Sequence, residues 1–193
     1  MNKFMGVALA VAFVGGAFAD ESTNIVSAVP DLATTKAAAS VADPSVARRL
    51  ALRKKAGARV DRDVEAYSKE GVREIERLYR AYSKTREVET GDLKTLLEKY
   101  PTANRTGCAV MYAGQRAGLE GEKWFRLAIE KSSDCYYGDG ACVGAYARYY
   151  LAGLCKRSGK SEEAKKLIAE IKSQYPDAIT HRGQLFSEIL KAE

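Results

Sequence analysis

The chain has 193 residues, with 31 Lys and Arg against 25 Asp and Glu, one His and four Cys. A net charge of +6 speaks to solubility and to anionic neighbours, not to fold. One histidine cannot make a histidine metal cluster, and the phosphate-loop, dinucleotide-glycine and calcium-loop spacings do not occur, so the sequence calls for no metal and no cofactor.

In chain order, Lys3 precedes an apolar run from Phe4 to Phe18, which ends in Ala17-Phe18-Ala19 before Asp20-Glu21. This is the pattern of a secretory signal peptide over residues 1–19, cleaved after Ala19, and it implies export to a periplasm. The run is shorter than the roughly 20 residues a membrane-spanning helix needs, and no later stretch is long enough to make a transmembrane segment. Residues 20–44, rich in Ala, Ser and Thr with Pro30 and Pro44, read as a flexible tether. Asp43-Pro44-Ser45 then reads as a helix start.

Residues 45–60 carry Arg48, Arg49, Arg53, Lys54, Lys55 and Arg59 and no acid. They predict a solvated basic helical arm, and the alternative reading gives that arm an anionic lipid or polymer surface as its partner. Nucleic acid is disfavoured by export and by the lack of aromatics within the patch. From Asp61 the helix signal strengthens through Val64, Tyr67, Val72, Ile75, Leu78, Tyr79 and Tyr82, with a break expected at Gly71. A short helix over residues 90–100 buries Leu93, Leu96 and Leu97 and stops before Pro101.

Two helix-turn-helix patterns follow. In the first, helix 103–117 buries Cys108, Met111 and Tyr112, and helix 121–132 presents Trp124, Phe125, Ala128 and Ile129. In the second, Ala147, Tyr150, Leu151, Leu154 and Cys155 form one face, Ser158-Gly159-Lys160-Ser161 turns with Ser161 as the expected N-cap, and Ala164, Leu167, Ile168 and Ile171 form the next stripe. Residues 177–191 follow as a cap, with Leu185, Phe186, Ile189 and Leu190 covering the open end.

The placement of Leu151, Ala152, Gly159, Ala164, Ile168 and Pro176, with the run Gly-x-Ser-Glu-Glu-Ala and a downstream Tyr-Pro, resembles tetratricopeptide repeats of bacterial envelope proteins. The resemblance spans residues 102–176 and is stronger in the second unit. It implies an all-α fold, a short right-handed α-solenoid of tetratricopeptide-like helical hairpins with flanking capping helices and a concave face lined by first helices. The domains are then a signal peptide at 1–19, a tether at 20–44, an N-terminal helical arm and helices at 45–101, and a repeat domain at 102–193. Residues 136–144 depart from the pattern as a glycine-rich insertion of nine residues in the first unit.

Such repeats are scaffolds rather than catalysts, so the expected function is binding of a protein or peptide partner, with no enzyme activity. Tyr136, Tyr137, Arg148 and Tyr149 are the candidate contact residues, because Tyr and Arg combine large contact area with a polar handle. Tyr150 is expected in the core, and His181 is expected to make a surface or helix-start contact. Cys135 and Cys142 flank the glycine-rich loop and form the geometrically easiest disulfide, worth roughly 2–3 kcal/mol in the chain-entropy account. Cys108 and Cys155 read as buried thiols. No C-x-x-C spacing occurs to support a redox role.

Overall fold

The computed structural model describes residues 43–191; the expected signal peptide and all of the tether before Asp43 lie outside them. Seven α-helices follow one another: α1 Pro44–Lys84, α2 Gly91–Lys99, α3 Asn104–Ala117, α4 Glu122–Lys131, α5 Val143–Arg157, α6 Ser161–Gln174 and α7 Phe186–Ile189, with a 3-10 turn at Gly118–Gly121. The described residues contain no strand, and the fold is all-α. Each helix from α1 to α6 packs on its successor, and α3 also touches α1 and α5.

The start of α1 matches its sequence signal. Asp43 Oδ1 accepts the Ser45 N–H at 2.9 Å, and Pro44 occupies the first turn, where a missing N–H costs nothing. The helix breaks at Ser68 (φ 64°, ψ 170°) rather than at Gly71. Ser68 Oγ accepts the Gly71 N–H at 3.3 Å, so it caps the limb that follows. Gly71 is the third residue of that limb, where a Cβ would lie 3.0 Å from Tyr67 Cβ. The glycine therefore permits the bend three residues upstream of itself.

Residues 44–67 are not a solvated arm on every face. Leu52, Ala56, Arg59 and Asp63 form a buried stripe at helical spacing. Arg59 pairs with Asp63 and donates to the Thr102 carbonyl. Asp63 accepts the Asn104 N–H at 2.8 Å, which supplies α3 with the cap its own Ala103 cannot. Burying a guanidinium is tolerable here because a carboxylate and a carbonyl meet it.

Gly159 (φ 74°) ends α5 in a Schellman motif, with Lys160 N–H on Cys155 O at 2.8 Å and Gly159 N–H on Lys156 O at 3.2 Å. The chain re-enters a helix at once, so Ser161 is the first residue of α6 rather than its N-cap; Lys160 takes that place without a side-chain bond. The C-terminal cap is mostly not helical. Only Phe186–Ile189 coils, and Phe186 and Leu190 are the residues that cover the core there.

Candidate interaction groove

Two tight hairpins precede α5 and α7. In the first, Tyr137 N–H bonds Ala141 O, Gly140 N–H bonds Tyr137 O, and Val143 N–H bonds Cys135 O, each at 2.9 Å. The same three bonds recur with every residue number raised by 43: Thr180 to Gln184, Gly183 to Thr180, Phe186 to Ala178. Tyr136 bridges Cys142, and Ile179 bridges Leu185. Gly140 (φ 93°) and Gly183 (φ 84°) occupy the same left-handed position. The segment 136–144 is therefore not peculiar to the first unit.

This geometry accounts for the cysteines. All four are free and buried. Cys142 faces Tyr136 across the bridge, and neighbouring residues of an extended ribbon point to opposite sides, so Cys135 points away from Cys142. Cys135 packs where a Cβ on Gly107 would lie 2.7 Å from its Sγ, while Cys142 Sγ lies 3.4 Å from Ser133 O. The expected bridge is not formed. Burial pushes the Cys135 thiol up to about 12 and raises Cys108, Cys142 and Cys155 as well. All four are protonated at neutral pH.

The first hairpin sits at the centre of an aromatic row. Tyr137, 6 % exposed, lies 6.0 Å from the Tyr112 ring, 6.4 Å from Tyr146 and 4.7 Å from His181. Tyr112 stacks on Tyr79 at 6.0 Å. Burial raises the Tyr137 phenol well above its ordinary value, and its hydroxyl has no partner. His181 joins the two hairpins: its Nδ1 lies 2.7 Å from Asp139 Oδ2, and its N–H donates to the Tyr146 hydroxyl at 2.7 Å. The surface contact expected of His181 is thus a specific one.

Of the sequence candidates, Tyr137 and Arg148 are turned inward. Arg148 is 7 % exposed. It bonds Glu170 at 2.9 Å, Gly144 O at 3.1 Å, and Ser133 Oγ and Tyr175 OH at 3.2 Å. A guanidinium with that many partners holds α5 to the ends of α4 and α6 and is not free for a ligand. Tyr136 is half-buried, and its backbone exchanges two bonds with the Asn104 side chain at 2.7 and 2.9 Å. Tyr149 is half-buried against Phe186.

Tyr150, expected in the core, is instead the aromatic that faces out, at 37 % exposure. Its ring stacks on Phe125 at 5.4 Å and on Tyr146 at 6.2 Å. It forms the wall between two openings. One, of about 220 Å³, lies between α3 and α5 and is lined by Gln115, Gly118, Leu119, Phe125, Tyr150, Leu154 and Arg157. The other, of about 270 Å³, is lined by Tyr149, Tyr150, Gly153, Lys156, Arg157, Ile168 and Leu190. Leu119 stands 75 % exposed at the rim, and a Cβ on Gly153 would meet nothing within 4 Å. The two openings share Tyr150 and Arg157, an aromatic ring beside an exposed cation.

Comparison with protein-family models, with curated proteins and with solved structures finds no match. Among the described residues, no group of three His, Cys, Asp or Glu is placed to hold a metal ion. No helix there is long and apolar enough to cross a membrane.

Proposed function

We propose that the chain is an exported protein-interaction module, a short right-handed α-solenoid of tetratricopeptide-like hairpins that works in the periplasm or envelope. It binds an extended or helical peptide segment of a partner protein along the groove over Tyr150. The observation that carries this is the pair of openings on either side of Tyr150, one between α3 and α5 with Leu119 exposed at its rim and one between α5, α6 and Leu190, both lined by Arg157. An apolar side chain of the partner fits against Tyr150, Phe125 and Leu119, and an acidic group of the partner meets Arg157. The successive packing of α1 through α6 supports the solenoid arrangement.

The test places a photo-crosslinking residue at position 119 of the mature chain in envelope extract. The proposal expects one discrete protein adduct, reduced at least tenfold by Tyr150→Ala with Arg157→Ala, because a central aromatic anchor carries about 2 kcal/mol or more. An adduct pattern indifferent to those two changes contradicts it.

A further inference from the structure

The outer face of the first limb of α1 is exposed and lies apart from the openings beside Tyr150. Residues 45–60 hold six cations and no acid, but the structure uses them unequally. Arg59 is buried against Asp63 and Thr102, and the Arg49 guanidinium lies over Gly183. Arg53, Lys54 and Lys55 remain exposed, and none makes an ion pair among the described residues. Val46 and Leu50, 61 % and 69 % exposed, stand one turn apart on the side opposite the buried Leu52, Ala56 and Arg59, in line with Lys54. The inward stripe ties the limb to Thr102, Gly140 and Gly183, so the outward stripe is displayed along a fixed helix.

We infer that this face docks on a membrane surface rich in anionic phospholipid, with the limb lying in the interfacial plane. Two exposed aliphatic side chains gain by entering the acyl boundary while adjacent cations meet headgroup phosphates. A polyanion without an apolar phase satisfies the cations alone and leaves Val46 and Leu50 in water.

The experiment is vesicle flotation with the mature chain from Asp20, comparing phosphatidylcholine alone with phosphatidylcholine mixed with phosphatidylglycerol at low salt. Binding is expected only to the mixed vesicles. Arg53→Gln with Lys54→Gln, which removes the two exposed cations that flank Val46 and Leu50 on this face, weakens it about twenty-five-fold, near fivefold per cation. Leu50→Gln weakens it about tenfold through lost apolar contact. Circular dichroism and thermal midpoints of the variants match the parent, because all three positions are exposed. Tyr150→Ala leaves flotation unchanged, which separates this surface from the groove. Absence of binding to mixed vesicles by the folded parent overturns the inference. So does binding that Leu50→Gln leaves unaltered while polyphosphate competes it away, an outcome that assigns the face to a soluble polyanion.

Discussion

The hairpin from Cys135 to Val143 and the one from Ala178 to Phe186 close with the same backbone bonds, yet they sit in unlike surroundings. The first is enclosed: Tyr137, Ala141 and Cys142 are buried, Asn104 bonds the Tyr136 backbone in both directions, and Leu52 of α1 lies against Gly140. The second is half open, with Thr180, Gly183 and Leu185 partly exposed. Shared positions are those the backbone dictates: a glycine at positive φ, and a small buried residue at the start (Cys135 or Ala178). Everything else follows from what packs on each copy.

Substitutions at matched positions can sharpen or break this contrast. Arg148→Ala should cost about 3 kcal/mol in urea unfolding, since it leaves Glu170 and several buried acceptors without their cation. Lys191, at the matching position 43 residues on, is exposed, and Lys191→Ala should stay within about 0.5 kcal/mol. Equal losses would show that the first hairpin is no more central than the second.

Gly140→Ala should cost about 2–3 kcal/mol and Gly183→Ala about 1 kcal/mol by the same measurement. Both positions require positive φ. At Gly140, however, a new Cβ would lie 2.8 Å from Leu52 Cβ and 3.1 Å from backbone atoms of α1, whereas at Gly183 it would meet the movable end of the Arg49 side chain.

Cys135→Ala installs the residue that the second hairpin uses and should cost about 1 kcal/mol for a small vacated volume. In the parent, a thiol reagent at pH 8 should label all four cysteines rapidly after unfolding and slowly before it, because burial holds Cys135 near 12 and raises the other three. Labelling confined to Cys108 and Cys155 in the unfolded, unreduced protein would establish a Cys135–Cys142 disulfide and refute the opposed orientation of those two residues.

Asp139→Asn has the smallest expected effect, a few tenths of a kcal/mol, because the pair with His181 is partly exposed. A loss comparable to that of Arg148→Ala would mean that the hairpins depend on each other through this contact.

The helices were legible because their apolar spacing is regular, and α2, α3 and α4 fall within one residue of the expected bounds. The second hairpin was not, since Asp177-Ala178-Ile179-Thr180-His181-Arg182-Gly183 shares only its Asp and Gly with the segment starting at Asp134. Hydrogen bonds between backbone groups leave little trace in side chains. The buried stripe of the first limb was hidden by charge: Arg59 counts as a solvent residue until Asp63 and Thr102 are seen to enclose it. The groove was missed by one rotation of α5. Arg148 and Tyr150 are two residues apart, hence on nearly opposite faces. The spacing Tyr150, Gly153, Arg157 could have marked the outward stripe, with glycine the sign that nothing packs there.

The most direct test of the groove is selection of a random peptide library on the chain from Asp20, followed by affinity measurement against the parent and Leu119→Ser with Tyr150→Ala. The account predicts peptides with an aromatic or aliphatic anchor beside an acidic residue, bound at least tenfold more weakly by the variant while its thermal midpoint stays near the parent's. Peptides of unrelated chemistry that bind both proteins equally would contradict the account and place recognition elsewhere on the molecule.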